Sequence, residues 1–250
     1  MLAPKACVEL FHLMFLRQFN TQIDADLYAI KGGCNLRFFF NSVRYSEDLD
    51  IDICTIQKET LTNKVNKILS SPSLLKLLQG YGISQIATTA PTQTQTTQRW
   101  KIQLYIETAE MPYHTKIEFS RRNEKIFAEL ANVNMKICQA YQLAPLRFAH
   151  YNLSDALEQK ILALAHRTLT QARDIFDIYH LLHIATPPKL KITNDILLKA
   201  QESLLSISFD DYKSQVVNFL ESEQQPSFDN EAYWKEVSDV VFNYLNGLSL

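Results

Sequence analysis

The chain has 250 residues, 46% of them hydrophobic and 21% charged, the proportions of an ordinary folded protein and not of a disordered one. Its 25 Lys and Arg against 27 Asp and Glu leave a net charge of −2, which excludes a basic coat over the whole surface but not a local basic groove. Only five glycines occur, at 32, 33, 80, 82 and 247, so neither G-x-G-x-x-G nor a Walker A loop can be written. Rossmann dinucleotide binding, P-loop hydrolysis and the kinase glycine-rich loop therefore lose their usual phosphate cradle. The cysteines, at 7, 34, 54 and 138, form no C-x-x-C pair, which argues against a structural zinc site. Lys5, Glu9 and Arg17 interrupt the apolar N-terminal segment, so no signal peptide or membrane helix is expected. A reduced, cytoplasmic setting away from membranes follows as the expectation.

Residues 5–20 carry Leu10, Leu13, Met14 and Phe15 at helical spacing and predict an amphipathic first helix. Leu27–Ile30 is a short apolar run ending in Lys31-Gly32-Gly33, and Cys34–Val43 reads as a second helix with Phe38, Phe39 and Phe40 as its core. Residues 48–53, Asp-Leu-Asp-Ile-Asp-Ile, alternate as a half-buried strand does. Residues 58–79 look helical, broken at Ser70-Ser71-Pro72-Ser73. The Thr/Gln-rich stretch from Thr88 to Gln98 reads as a loop or hairpin tip. Strands are predicted at Trp100–Glu107 and His114–Phe119, an antiparallel pair by proximity, and a third short one at Val133–Cys138. Past Pro145 the pattern turns helical, over 157–167, 171–183, 195–206, 209–220 and 231–245. The expected organisation is an α/β domain over 1–147 and a helical domain over 148–250.

The densest chemistry lies in Lys31-Gly32-Gly33-Cys34-Asn35-Leu36-Arg37, followed by Arg44-Tyr45-Ser46-Glu47-Asp48-Leu49-Asp50-Ile51-Asp52. Alternation puts Asp48, Asp50 and Asp52 on one strand face, neighbours about 6.5–7 Å apart. Aspartate is disfavoured in strands and like charges repel, so the row carries a cost. Two of these carboxylates with a distant third could hold Mg²⁺, which takes carboxylate and substrate phosphate oxygens. A solvated strand face is the plain alternative. The adjacent glycines upstream suit a backbone that something approaches closely, and a helix starting there offers N–H groups to a phosphate. A simple tight turn is the other reading of that pair.

A glycine turn followed at this distance by D-h-D resembles the DNA polymerase β-like nucleotidyltransferases; the spacer here, Asn35–Glu47, is thirteen residues. More closely, K-G-G-x-x-L-R with R-x-S-x-D-L-D resembles the AbiEii/AbiGii-type nucleotidyltransferases, toxins of type IV toxin–antitoxin and abortive-infection systems. Lys116-Ile117-Glu118-Phe119-Ser120, then Glu158 to Leu164 around Lys160, then Arg173-Asp174-Ile175-Phe176-Asp177-Ile178-Tyr179 follow in the same order, so the likeness spans residues 5 to 185. It departs at Cys34, where members usually carry Ser or Thr; a thiol is a poorer donor to a triphosphate oxygen.

The resemblance implies a polymerase β-like mixed sheet with flanking helices and a C-terminal helical region closing the cleft. It implies Mg²⁺, or Mn²⁺ in its place, held by Asp48, Asp50 and Glu118, and an NTP whose NMP passes to the 3′ end of tRNA, another nucleic acid or a protein. Asp48, Asp50, Glu118 and Lys160 are then the catalytic set, and Lys31, Gly32, Gly33, Cys34, Arg44, Ser46, Asp174 and Asp177 the nucleotide-binding one. Asp52 stays in reserve. A cognate antitoxin is the implied partner. The rival from another class is a catalytically degenerate nucleotide-binding or interaction protein of the same fold. Three expectations follow. The three carboxylates should converge on one ion, Lys160 should point into the cleft, and Lys160→Ala should leave the melting temperature nearly unchanged. Helix capping and ion pairing are the plain reading of Asp174 and Asp177, a surface pair that of His180 and His183, and a solvated turn that of Arg121, Arg122 and Lys125, with an RNA contact as the alternative.

Overall fold

A computed structural model describes residues 2–186 and 190–248. The first compact unit comprises residues 1–39 and 45–151, the second residues 40–44 and 152–250.

In the first unit, helix α1 (Pro4–Phe19) opens on a proline, whose missing N–H costs nothing in a first turn. It is buried on nearly every side, from Ala6 to Leu16 and again at Phe19. The expected amphipathic helix is thus a core helix, and its buried polar residues have partners, Glu9 in Arg37 and His12 in Thr115. Around it run β1 (Tyr28–Lys31), α2 (Gly32–Phe39), β2 (Leu49–Cys54), α3 (Lys58–Leu69), α4 (Pro72–Gln79), β3 (Ile83–Gln93), β4 (Thr97–Ile106), β5 (Tyr113–Arg122), β6 (Glu129–Asn132), α5 (Met135–Ala140) and β7 (Arg147–His150). The strands form one mixed sheet in the order β3-β4-β5-β2-β1-β7-β6. β1 runs antiparallel to β2, β2 parallel to β5, and β5 antiparallel to β4.

Strand alternation sorts this sheet into two chemically different faces. Ile30, Ile51, Phe119, Trp100 and Ile102 join Phe11, Phe15 and Phe19 of α1 in one core cluster. The intervening residues, Lys31, Asp50, Glu118 and Arg99, are register partners in succession and so emerge together on the other face.

Other expectations change as well. The Thr/Gln-rich stretch is mostly strand, because threonine is β-branched and suits a wet edge strand. Its turn is only residues 94–96, closed by Thr94 N–H to Thr97 O at 2.9 Å. Helix α2 starts on the glycines and ends at Phe39, short of Val43, with Asn41 at φ 58° just beyond. The strand predicted at 133–138 is instead the helix α5, capped by Asn134 Oδ1 accepting from Lys136 N–H. The short strands β6 and β7 flank it unannounced. Pairing of β7 with β1, Ile30 opposite His150, carries the first unit on to Tyr151.

The second unit is helical: α6 (Leu153–His166), α7 (Ala172–Leu182), α8 (Asn194–Leu205), α9 (Phe209–Gln215), α10 (Gln225–Phe228) and α11 (Glu231–Leu248). Asn152 caps α6, and Ser208 with Asp211 forms a capping box on α9. Its buried residues include Leu157, Ile161, Ile175, Tyr212, Val237 and Val241. Residues 40–44 belong here because His180 Nε2 donates to the Phe40 carbonyl at 2.7 Å and Arg44 pairs with Asp177. No helix among the described residues is long and apolar enough to cross a membrane.

Candidate active site

Four adjacent strands place Lys31, Asp50, Glu118 and Arg99 in one transverse row, with charges in the order plus, minus, minus, plus. Asp48 and Lys116 lie on one side of this row, Asp52 and Ser120 on the other. Most of the acids are clamped by a cation. Lys116 holds Asp48 through its ammonium at 3.1 Å and its backbone N–H at 3.1 Å. Arg99 Nε donates to Glu118 Oε2 at 2.6 Å. Asp52, fully buried, is gripped by Lys31 at 2.6 Å, Arg122 at 2.7 Å and the Tyr151 hydroxyl at 2.8 Å. Asp52 is therefore structural, and Lys31, expected at a phosphate, spends its ammonium on Asp52 and on Ser120 Oγ at 3.0 Å.

Asp50 is the exception. No hydrogen bond or ion pair reaches its carboxylate among the described residues. Burial pushes its pKa above the usual carboxylate range; Lys116 and Lys31 oppose that rise, and Asp48 and Glu118 add to it. Gly32, at φ +66°, lies flush against it, since a Cβ there would come within 3.0 Å of Asp50 Oδ2. Left-handed backbone costs a non-glycine residue roughly 1–2 kcal/mol. Gly32→Ala should thus lower stability by about that amount and cut activity further by turning the Asp50 carboxylate. Melts and turnover of the purified variant check this, and unchanged turnover would refute it.

The expected convergence of three carboxylates is not present: among the described residues no group of three or more His, Cys, Asp or Glu could hold a metal ion. Glu118 does share the Asp50 face, on an adjacent strand that runs parallel to β2, but Arg99 draws it aside. The donor chemistry nonetheless fits a divalent ion. The partnerless Asp50 and its neighbour Asp48 are oxygen donors, and Mg²⁺ is held by one or two carboxylates plus phosphate oxygens.

Backbone and hydroxyl contacts set the position of Asp48. Its carbonyl accepts from Ser46 Oγ at 2.8 Å and from the Cys34 thiol at 3.3 Å. Cys34 is fully buried, and burial drives its thiol pKa far up. The thiol thus faces the protein interior and holds the Asp48 turn, not the surface where a triphosphate would lie. Behind it sits His12, buried and pushed down to about 3, hence neutral. Thr115 Oγ donates to the Glu47 carbonyl at 2.7 Å, so His12 Nε2–H donates to Thr115 at 2.8 Å. The sequence reading passed over His12, Thr115, Tyr151 and Arg99. A histidine and a tyrosine at ordinary helix and loop positions carry no local signal of such contacts.

In the second unit, Arg44, Asp177, Lys160, Asp174 and Arg167 form a continuous ion chain. Its distances are 2.9 Å for Arg44–Asp177, 2.7 Å for Lys160–Asp177, 3.0 Å for Lys160–Asp174 and 2.5 Å for Arg167–Asp174. Both aspartates are wholly buried and Lys160 is 7% exposed, so the picture of a solvent-lined lysine is corrected: the ammonium is consumed by two carboxylates. Burial opposes ionisation of Asp177, but Arg44 and Lys160 outweigh it and hold its pKa to about 2. Asp174 is lowered too, as Lys160 and Arg167 overcome burial, while the aspartates raise Lys160 against its own burial. Depressed carboxylates contribute stability that is complete above their unfolded pKa of about 3.9 and is lost as pH falls through the folded values. The raised lysine contributes below about 10.4 and loses its part above. Melting temperature should therefore fall steeply from about pH 4 towards 2, and Asp177→Asn should flatten that limb. An acid limb identical in the variant would count against the network. His180 and His183 bond backbone carbonyls, and Arg121 and Arg122 are tied to Ile56, Gln98 and Asp52.

The fold is that of a nucleotidyltransferase. It resembles MenT4, a nucleotidyltransferase toxin of Mycobacterium tuberculosis, with a TM-score of 0.67 and 19% identity over 96% of this chain and 82% of that one. It also resembles JHP933 of Helicobacter pylori, with a TM-score of 0.52 and 17% identity over 97% and 95%. No curated protein matches the sequence. The family model of the AbiEii nucleotidyl transferase toxin, type IV toxin–antitoxin system, matches residues 14–235, and the chain belongs to that family.

Proposed function

We propose that this toxin-family nucleotidyltransferase moves NMP from an NTP to an acceptor hydroxyl or phosphate, releasing pyrophosphate, with Mg²⁺ or Mn²⁺. The observation that carries the reading is Asp50: a half-buried carboxylate without a partner, opposite Glu118 and against a glycine at the mouth of a helix. Partnerless buried acids cost stability and are kept where they bind something. Asp50 and Asp48 would hold the ion, with Glu118 completing the set. When bound, the ion supplies Lewis-acid stabilisation of the α-phosphate and the leaving pyrophosphate.

The chain's own groups do the rest. The N–H groups at the start of α2, Gly32 and Gly33 among them, are aligned for phosphate oxygens. Lys31 keeps a positive charge next to Asp50. Cys34 and Ser46 act through the Asp48 carbonyl, holding that carboxylate in place. Arg44, Lys160, Asp174 and Asp177 hold the second unit together through their own ion chain. The acceptor proposed is a nucleic acid, the 3′ end of tRNA included, or a protein side chain, and family membership supports a cognate antitoxin as partner. Incubation with each labelled NTP, Mg²⁺, total RNA and a protein fraction should put label into one polymer. Label in none of them, at enzyme levels that hydrolyse no NTP either, would refute the transfer.

A further inference from the structure

Arg99 has no part in the chemistry proposed so far, yet it occupies the end of the charge row. It faces Glu118 directly across the antiparallel β4–β5 pair, while Asp50 faces Glu118 from the other side. Among the described residues the one polar contact of its side chain is Nε to Glu118 Oε2 at 2.6 Å. Among the described residues neither terminal guanidinium nitrogen of Arg99 has a protein acceptor, and the side chain is 36% exposed. Arg122 contrasts with it, because Asp52, the acid it binds, is closed off by Lys31 and Tyr151 as well. Arg99 thus holds one carboxylate with one nitrogen and offers the remaining fork to solvent, a fork whose geometry matches phosphate.

We infer that Arg99 is a built-in counter-cation for Glu118, competing with a divalent ion for that carboxylate and releasing it when a triphosphate gives the guanidinium a new anion. The inference rests on the metal-dependent reading above. Arg99 occupies Oε2 of Glu118 and sets its own positive charge beside the carboxylate, so an ion arriving alone meets that charge and can take both oxygens only by displacing the arginine into water. An ion arriving with a triphosphate finds Arg99 an alternative partner. Metal and nucleotide then favour one another's binding, and the coupling is reciprocal. No bond is made or broken in the exchange.

The test uses the full chain and two probes measured apart: Mn²⁺ alone, followed by electron paramagnetic resonance of the free ion, and tripolyphosphate in metal-free buffer, followed by calorimetry. Arg99→Gln should bind Mn²⁺ about two- to five-fold more tightly than the parent, the range of a partly exposed ion pair, and tripolyphosphate more weakly by a similar factor. A merely structural role would weaken both or neither. Arg99→Lys, which keeps the charge but loses the fork, should move both affinities the same way by less, and serves if the glutamine variant does not fold. Mn²⁺ binding that is unchanged or weaker in the variants overturns the inference, and unchanged tripolyphosphate binding overturns the hand-over to phosphate. Asp50→Asn separates the two levels. If it abolishes Mn²⁺ binding to the parent, failure of the Arg99 variants falls on Arg99 alone. If the parent binds no Mn²⁺, or binds it without Asp50, the metal reading falls and the inference with it.

Discussion

Asp50→Ala should abolish nucleotide transfer while leaving the protein as stable as the parent or slightly more so. Losing one preorganised electrostatic group in an active site costs on the order of 100- to 1000-fold in rate. Asp50 is placed to have such an effect, being the partnerless acid of the row beside Gly32. Stability moves the other way for the same reason. Its pKa is raised in the folded chain, so the ionised form is worse off folded than unfolded. Above the folded pKa that carboxylate therefore subtracts from stability, and its removal relieves the repulsion with Asp48 and Glu118. Thermal melts of parent and variant, beside label transfer and growth of a host expressing each, make the comparison. A stable Asp50→Ala protein transferring nucleotide at the parent's rate would overturn the mechanism. A variant that melts well below the parent would mean Asp50 has a structural partner.

Lys160→Ala should have the opposite profile, a large loss of stability. The substitution leaves Asp174 and Asp177, both wholly buried, with Arg167 and Arg44 as their cations among the described contacts. Breaking a buried ion pair from one side costs about 3–5 kcal/mol. For a domain of ordinary size that lowers the melting temperature by on the order of 10 °C. Circular dichroism melts near pH 7 report it, and Lys160→Arg should recover part of the loss by restoring a cation. The simple expectation of an exposed phosphate ligand, with no change in melting, would be restored if the alanine variant melted like the parent. Any loss of activity in Lys160→Ala must be read at a temperature where the variant is folded.

Much of this protein was readable in its residues because the relevant signals are local. Alternation in Asp-Leu-Asp-Ile-Asp-Ile announces β2 and puts its acids on one face, and that period survives folding because Ile51 and Ile53 have a core to enter. The adjacent glycines announce a position where backbone must lie close to something, and a +66° φ at Gly32 against Asp50 is that position. The ordered motifs from Lys31 to Tyr179 were enough to identify the nucleotidyltransferase toxin family.

What only the tertiary structure decided is which charge answers which. Arg99 and Glu118 are 19 residues apart, Lys116 and Asp48 are 68 apart, and Arg122 and Asp52 are 70 apart, joined by strand order and register and not by spacing. Asp48, Asp50 and Asp52 look equivalent in a row, yet long-range partners make Asp52 a buried structural acid and leave Asp50 alone. Cys34 could not be oriented from sequence either, since a helix's first turn points one side chain outward and the next inward, and α1 with His12 sets which is which. Lys160 read as a cleft cation because its helix resembles the family's E-x-K-x-x-A-L motif, and a lysine in a cleft is expected to be solvated. Two aspartates from the following helix overrule that default, since a buried ammonium is tolerated only where carboxylates offset its lost hydration.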